Sequence, residues 1–267
     1  MKKLRALLVA FALSCYASAA QAAPIKILFF YPGGQGSREA AQPLLDAFGE
    51  SLKQASAGKI DSAVTYLSDP LAGLSFIKSE KPAVAIVSLD AFDQYASAWG
   101  AQVIAKTLQL PSGDGKDQFF IVGQKGSSLP TQGKITLLSS RPLSSDFVAK
   151  KLFPALQGVN FSIQSERNAI GTLRAIGSGE KSDFILLDQF EYANVKRLRS
   201  AWVAGLDALA ESQKVSSAPV IVFPQQISSE LIPVLQKSLV KLGQESSAQP
   251  TLQELRLKGF MPAQNVD

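Results

Sequence analysis

Histidine is absent from the 267-residue chain, and cysteine occurs once, at Cys15. The first absence removes the commonest general base at neutral pH and the commonest transition-metal ligand. The second excludes a disulfide within the chain and the thiolate clusters that hold zinc or iron–sulfur groups. Beyond the first stretch of residues, no segment reaches the roughly 20 apolar residues that a membrane span needs. No cofactor, no metal and no catalytic residue is therefore expected. What the chain does carry is a basic, then apolar, then small-residue beginning, followed by many short apolar runs.

That beginning reads MKKLRALLVAFALSCYASAAQAAPIK. Lys2, Lys3 and Arg5 precede an apolar run from about Ala6 to Tyr16, and Ala20-Gln21-Ala22 supplies small residues where a signal peptidase reads. The layout predicts a secretory signal peptide cut after Ala22, and hence a periplasmic protein; a lipoprotein anchored at Cys15 is the lesser variant. Cleavage there removes three positive charges and lowers the formal net charge from +5 to +2. A balance so near neutral gives no case for nucleic acid as a partner.

Past Ala22 the chain alternates strands and helices. Ile25–Phe30 (IKILFF) and Ala83–Ser88 (AVAIVS) read as buried strands, with another strand at Ala63–Leu67. A helix over Ser37–Leu52 places Ala41, Leu44, Phe48 and Leu52 on one face, with Pro43 as a kink or first-turn residue. Helices are also expected over Pro70–Ile77 and up to Trp99. The glycine-rich LPSGDGKD (Leu110–Asp117) then reads as a crossover into a second β–α set. In it, strands fall at Gln118–Gly123, Ile135–Leu138, Phe161–Gln164 and Phe184–Leu187. Helices fall at Ser145–Leu156, Asn168–Gly177 and Gln189–Val195. A second polar break, Ser212–Ala218, precedes the strand Pro219–Phe223 and a last helix, Ser228–Leu242. Repeated β–α order predicts an α/β fold. Two such sets joined by two crossovers predict two lobes with a cleft between them, a common place for a ligand.

The order of these pieces resembles the periplasmic solute-binding proteins of the phosphonate and phosphate uptake type, with the type II binding-protein fold. The resemblance is carried by Tyr31-Pro32 after the first strand, by QPLLDAF, and by SDPLAGLSFI followed by AVAIVSLDAF. It continues through DGKDQFFIVGQKGSSLPTQGKITLL, GTLRAIGSGEKSDFILLD and APVIVFPQQISSELIPVLQKSLVKL. It implies two lobes, 23–112 with 224–267 and 113–223, each a mixed, mostly parallel sheet flanked by helices. It also implies a monomer that closes on a small-molecule ligand and hands it to an inner-membrane transporter, with no reaction catalysed.

In that family the ligand rests against the turn after the strand written here ITLL, where a proline and a run of hydroxyl residues open a helix. Backbone N–H groups and hydroxyls at such a place hold an anion. Here the run is Pro142, Leu143, Ser144, Ser145, then Asp146: shorter, interrupted by an apolar residue, and followed by a carboxylate that would cap the helix or repel an anion. Where the family offers tyrosines, this chain has Pro70 with Leu71, and Phe92. Where it offers a histidine, Arg167 and Asn168 stand. Asp188 takes the acidic position at the end of a strand. The implied ligand-binding set is Tyr31, Pro70, Leu71, Phe92, Leu143, Ser144, Ser145, Phe147, Arg167, Asn168 and Asp188. Loss of hydroxyl donors with retention of apolar surface points to a mostly apolar ligand with a polar tip, lipid-like or sterol-like. The alternatives are an oxyanion taken up through an ABC importer, and a ligand-sensing input module of a signalling system.

Other motifs weigh less. Gly33-Gly34-Gln35-Gly36-Ser37 lacks the lysine and spacing of a phosphate loop and reads as a tight turn. Two serine–lysine spacings, at Ser75–Lys78 and Ser178–Lys181, lack companion motifs. Asp114 and Asp117 are too few for calcium. Lys196-Arg197-Leu198-Arg199 reads as a solvated face, with a transporter-docking patch as the alternative.

Overall fold

The computed structural model describes residues 23–263 apart from Gln35 and Pro142. The expected signal peptide and Cys15 lie outside the described residues.

The apolar runs form strands of two sheets. In the first lobe, β1 (Ile25–Phe30), β2 (Ser62–Leu67), β3 (Val84–Val87), β4 (Gln102–Gln109), β12 (Pro219–Val222) and β13 (Leu257–Pro262) lie in the order β13-β4-β12-β3-β1-β2. In the second, β6 (Phe119–Gln124), β7 (Gly133–Ser139), β8 (Val159–Ser165), β9 (Phe184–Asp188) and β10 (Leu206–Glu211) lie in the order β10-β6-β9-β7-β8. Between the lobes, β5 (Lys116–Asp117) and β11 (Val215–Ser216) pair antiparallel as a short ribbon. The chain thus passes from one lobe to the other twice, and the two passages are hydrogen-bonded to each other.

Helices cover both faces of each sheet, which is why the strands read as unbroken apolar runs. Along β1, Ile27 and Phe29 enter one apolar cluster, with α1 (Arg38–Ala55), α7 (Leu231–Leu242) and α8 (Gln249–Glu254). The alternate residues Leu28 and Phe30 enter the other, against α2 (Pro70–Ser79) and α3 (Leu89–Trp99). The second lobe repeats the pattern. Phe119 and Ile121 face one cluster, while Phe120 and Val122 face a second beside α5 (Ala169–Gly177) and α6 (Gln189–Arg197).

Several expectations need correction. The strand Pro219–Val222 hydrogen-bonds to β3 and β4 of the first lobe, so the return passage ends before it rather than after Phe223. Parallel pairing does not predominate. β1 pairs parallel with β2 and β3, and β7 with β8 and β9, but β12, β13, β6 and β10 all pair antiparallel. Strands that return after a crossover run back against the βαβ block. The helix expected over Ser145–Leu156 is shorter: α4 (Ser145–Phe147) runs into a π-helical turn (Val148–Leu152) and stops before Pro154, which cannot continue it. Pro43 lies inside α1, which continues for 18 residues from its cap at Ser37.

Candidate functional site

The carboxyl ends of β1 and β3 in one lobe and of β7 and β9 in the other meet at a single cleft. This is the edge at which α/β sheets present ligand-binding residues. The cleft encloses a cavity of about 280 Å³. The first lobe contributes Phe29, Tyr31, Ala41, Leu44, Leu45, Tyr66, Leu89, Leu255 and Leu257. The second contributes Phe119, Leu143 and Phe147. Leu44, expected on the core face of α1, lines this cavity instead, whereas Ala41 and Leu45 line it and also pack on the core with Phe48 and Leu52. The wall is therefore mostly apolar. Gly34 brings the backbone close to it: a Cβ there would lie 2.5 Å from the Tyr66 hydroxyl and 2.9 Å from the Tyr31 carbonyl oxygen.

The polar end of the cavity is built around Arg141, directly after β7. Ser139 fixes this turn by donating its hydroxyl to the Arg141 carbonyl (2.7 Å) and accepting the Arg141 N–H (3.2 Å). The guanidinium, whose side chain is 27% exposed, meets Asp188 Oδ2 at 2.5 Å. Asp188 is also the N-cap of α6: its Oδ1 accepts the Glu191 N–H (2.8 Å), and Glu191 Oε2 accepts the Asp188 N–H (3.1 Å). The Ser140 hydroxyl donates to the remaining oxygen of Glu191. This reciprocal capping box places two carboxylates beside one guanidinium.

A third carboxylate comes from the ribbon. Asp117 is 7% exposed and accepts one hydrogen bond from Gln189 Nε2 at 3.3 Å. Burial pushes the Asp117 carboxyl up to about 7, with Asp188 and Asp114 adding to the rise and Arg141 opposing it. Burial and then Asp188 likewise raise Glu191, against Arg141 and two hydrogen bonds. Burial works to lower Arg141, yet Asp188, Glu191, Asp117 and Tyr31 together hold it above its ordinary value. Burial drives the Tyr31 hydroxyl well above the usual phenol range, so it stays a neutral donor.

The two lobes also touch directly at the first turn of α3. Ser144 donates its N–H (3.3 Å) and its hydroxyl (2.8 Å) to Asp90 Oδ1. Lys151 pairs with Asp93 at 3.2 Å. The side chain of Leu89 packs into the apolar cluster of the other lobe. Near the crossover side, the Arg256 guanidinium sits 4.9 Å from the centre of the Phe190 ring.

Of the residues implied by resemblance, Tyr31, Leu143 and Phe147 line the cavity. Asp188 lies behind Arg141 and holds it, and Ser144 caps α4, its hydroxyl oxygen accepting the Phe147 N–H at 3.2 Å. The others stand elsewhere. Pro70 opens α2, and Leu71 beside it is 78% exposed and outside the cavity. Phe92 packs on the core side of α3, because only its first turn, Leu89 and Asp90, faces the cleft. Ser145 and Arg167 are exposed, and Asn168 caps α5 by accepting the Gly171 N–H at 3.1 Å. Asp146 neither caps α4 nor faces the cavity; it pairs with Lys150 at 2.6 Å on the surface. The carboxylate that meets Ser144 is Asp90, from the opposite lobe.

Sequence reasoning passed over Asp90, Arg141, Glu191 and Tyr66, and weighed Asp117 only as a calcium ligand. Two signals were available. Asp188-x-x-Glu191 has the capping-box spacing, and Arg141 follows a strand whose carboxyl end belongs to the ligand edge. Asp90 gave no such signal, since an aspartate in a first helical turn usually serves its own helix.

No protein-family model and no curated protein matches the sequence. Solved structures do match in fold. A protein from Xanthomonas citri bound to ATP superposes with a TM-score of 0.64 at 12% identity, over 91% of this chain and 92% of that one. PhnD1 from Prochlorococcus marinus in complex with methylphosphonate gives 0.63 at 14%, over 90% and 93%. A binding protein component of an ABC phosphonate transporter from Pseudomonas aeruginosa gives 0.60 at 12%, over 90% and 82%. Taken with the two sheets, the double crossover and the cleft between them, these likenesses show that the chain has the two-lobed type II periplasmic binding protein fold.

Proposed function

We propose that this protein is a periplasmic solute-binding protein. It captures a mostly apolar ligand with a polar tip between its lobes and delivers it to an inner-membrane transporter. One observation carries the choice of ligand. Arg141, the guanidinium at the polar end of the cavity, is already matched by Asp188 at 2.5 Å and flanked by Glu191 and Asp117. An oxyanion placed beside Arg141 would meet the carboxyl groups of Asp188, Glu191 and Asp117 as well, while Arg256, the second guanidinium in the cavity wall, lies against the Phe190 ring. A hydroxyl or amide tip finds both donors and acceptors, and the apolar walls supply the affinity. Each 100 Å² of apolar area withdrawn from water contributes about 2.5 kcal/mol.

The cavity of about 280 Å³ lies at the small end of ligand pockets. As closed, it suits a compact ligand; a sterol or long acyl chain requires the lobes to part further. The fold likeness to a methylphosphonate-bound protein is the observation on the side of an oxyanion. Extraction of the purified protein followed by mass spectrometry decides between them, alongside thermal shifts with phosphate and methylphosphonate. Recovery of an apolar small molecule, with no shift by either anion, is the expected result. A shift by the anions alone, with nothing apolar recovered, reverses the reading.

A further inference from the structure

Asp90 sits in the first turn of α3 and is 7% exposed, yet two of the four hydrogen bonds to its carboxylate come from the other lobe. Oδ1 accepts both donors of Ser144, the N–H at 3.3 Å and the hydroxyl at 2.8 Å. Gln94 Nε2 donates to both carboxylate oxygens, at 3.3 and 3.2 Å. The one proton of the Ser144 hydroxyl is then committed to Asp90, while its oxygen accepts the Phe147 N–H. Leu89 on one side of Asp90 enters the apolar cluster of the second lobe, and Asp93 pairs with Lys151 at 3.2 Å. Asp90 therefore occupies the middle of a contact made wholly by the protein's own groups, and it lines the cavity at the same time.

We infer that Asp90 is a specificity-determining residue that bars anions from the cleft. From the first lobe it takes the Ser144 donors of the second, and so spends on an internal carboxylate the hydrogen bonds that an anionic ligand would need. It also fixes a negative charge in the wall beside them, and like charges at such range repel strongly in a site withdrawn from water. The lobes close on Asp90 itself, which leaves the ligand to be chosen by the apolar wall. This deepens the proposed function and rests on its reading of the cleft as a site for a ligand without anionic charge.

The test is calorimetric titration of inorganic phosphate and of methylphosphonate into the wild-type protein, Asp90→Asn and Asp90→Ala. Asp90→Asn keeps the shape and an acceptor oxygen but removes the charge; Asp90→Ala also frees the Ser144 donors. The wild type is expected to give no binding heat. Asp90→Ala is expected to bind at least one anion at least tenfold more tightly than the wild-type detection limit, with Asp90→Asn between the two. Should Asp90→Ala fail to fold, any gain of anion binding by Asp90→Asn decides the matter. Folded variants as silent as the wild type would overturn the role of Asp90 and leave the apolar reading of the ligand standing. Anion binding by the wild type itself would overturn both.

Discussion

Arg141 and Asp188 meet at 2.5 Å at the polar end of the cleft, one following β7 and the other ending β9, which lies beside it in the sheet. Adjacent parallel strands thus deliver a cation and its counter-charge to the same edge. Asp188 faces two ways, since its other oxygen caps α6 through the Glu191 N–H.

Removing Asp188 leaves a largely buried guanidinium without its nearest partner and a helix without its cap. Asp188→Ala is expected to cost roughly 3 kcal/mol for the broken pair, with about 1 kcal/mol more for the lost cap. Asp188→Asn keeps a capping oxygen but loses the charge, and should cost roughly 3 kcal/mol, the share of the pair alone. Urea denaturation of the three proteins checks both values: equal losses would mean that the cap contributes nothing, and an Asp188→Asn as stable as the wild type would mean that the charge at Asp188 is immaterial.

Asp117 makes stability depend on pH. Burial lifts the pKa of its carboxyl from an ordinary 3.8 to about 7 in the folded protein. A carboxyl that gains proton affinity on folding stabilises the fold most at acidic pH. That contribution fades as the pH climbs from about 4 towards 7 and is gone above it. Across this window it amounts to on the order of 4 kcal/mol. Asp117→Asn should flatten the decline when denaturation is followed between pH 5 and 8. A remainder is expected from Glu191, whose carboxyl is raised for the same reason. An undiminished slope in the variant would place the titration elsewhere.

Gly73 shows packing overruling local preference. Alanine in the middle of a helix gains about 1 kcal/mol over glycine. Here its Cβ would lie 2.0 Å from Cε2 and 2.4 Å from Cδ2 of Phe30. That ring is fully buried against Trp99 and cannot swing aside. Overpacking costs about 1–3 kcal/mol, so Gly73→Ala is expected to lower stability by about 0–2 kcal/mol net. A gain in the urea midpoint would show that α2 shifts outward freely.

Leu143 offers a handle on the apolar wall. It lines the cavity from the lobe that also carries Arg141. Leu143→Asp is expected to weaken binding of an environment-sensitive apolar fluorophore at least tenfold, with stability changed by about 1 kcal/mol or less. Unaltered fluorophore binding would remove Leu143 from the site.

Much of the architecture was legible because strands covered on both faces must be apolar at every position. IKILFF and AVAIVS announce themselves in that way, and their residues divide between two clusters as alternation requires. β13 (LKGFMP) did not, since it is an edge strand with glycine and proline inside it. β4 and β10 mix apolar with polar positions because parts of both are only half-covered. The site was less legible than the fold. Leu143 and Phe147 could be placed from the turn that precedes them, but Asp117 became important only through burial, which two residues in a glycine-rich stretch do not reveal. Asp90 required knowing what lies opposite it across the cleft.

Because β5 and β11 are hydrogen-bonded to one another, the two passages between the lobes must flex together, as the spine of a book does. Asp117 belongs to that spine and also lines the cavity. A molecule lodged against it rests at the pivot, where swinging covers travel least. Under the proposed function, the polar tip would be seated while the covers are still apart, and shutting them would then add the greasy walls without disturbing the seat.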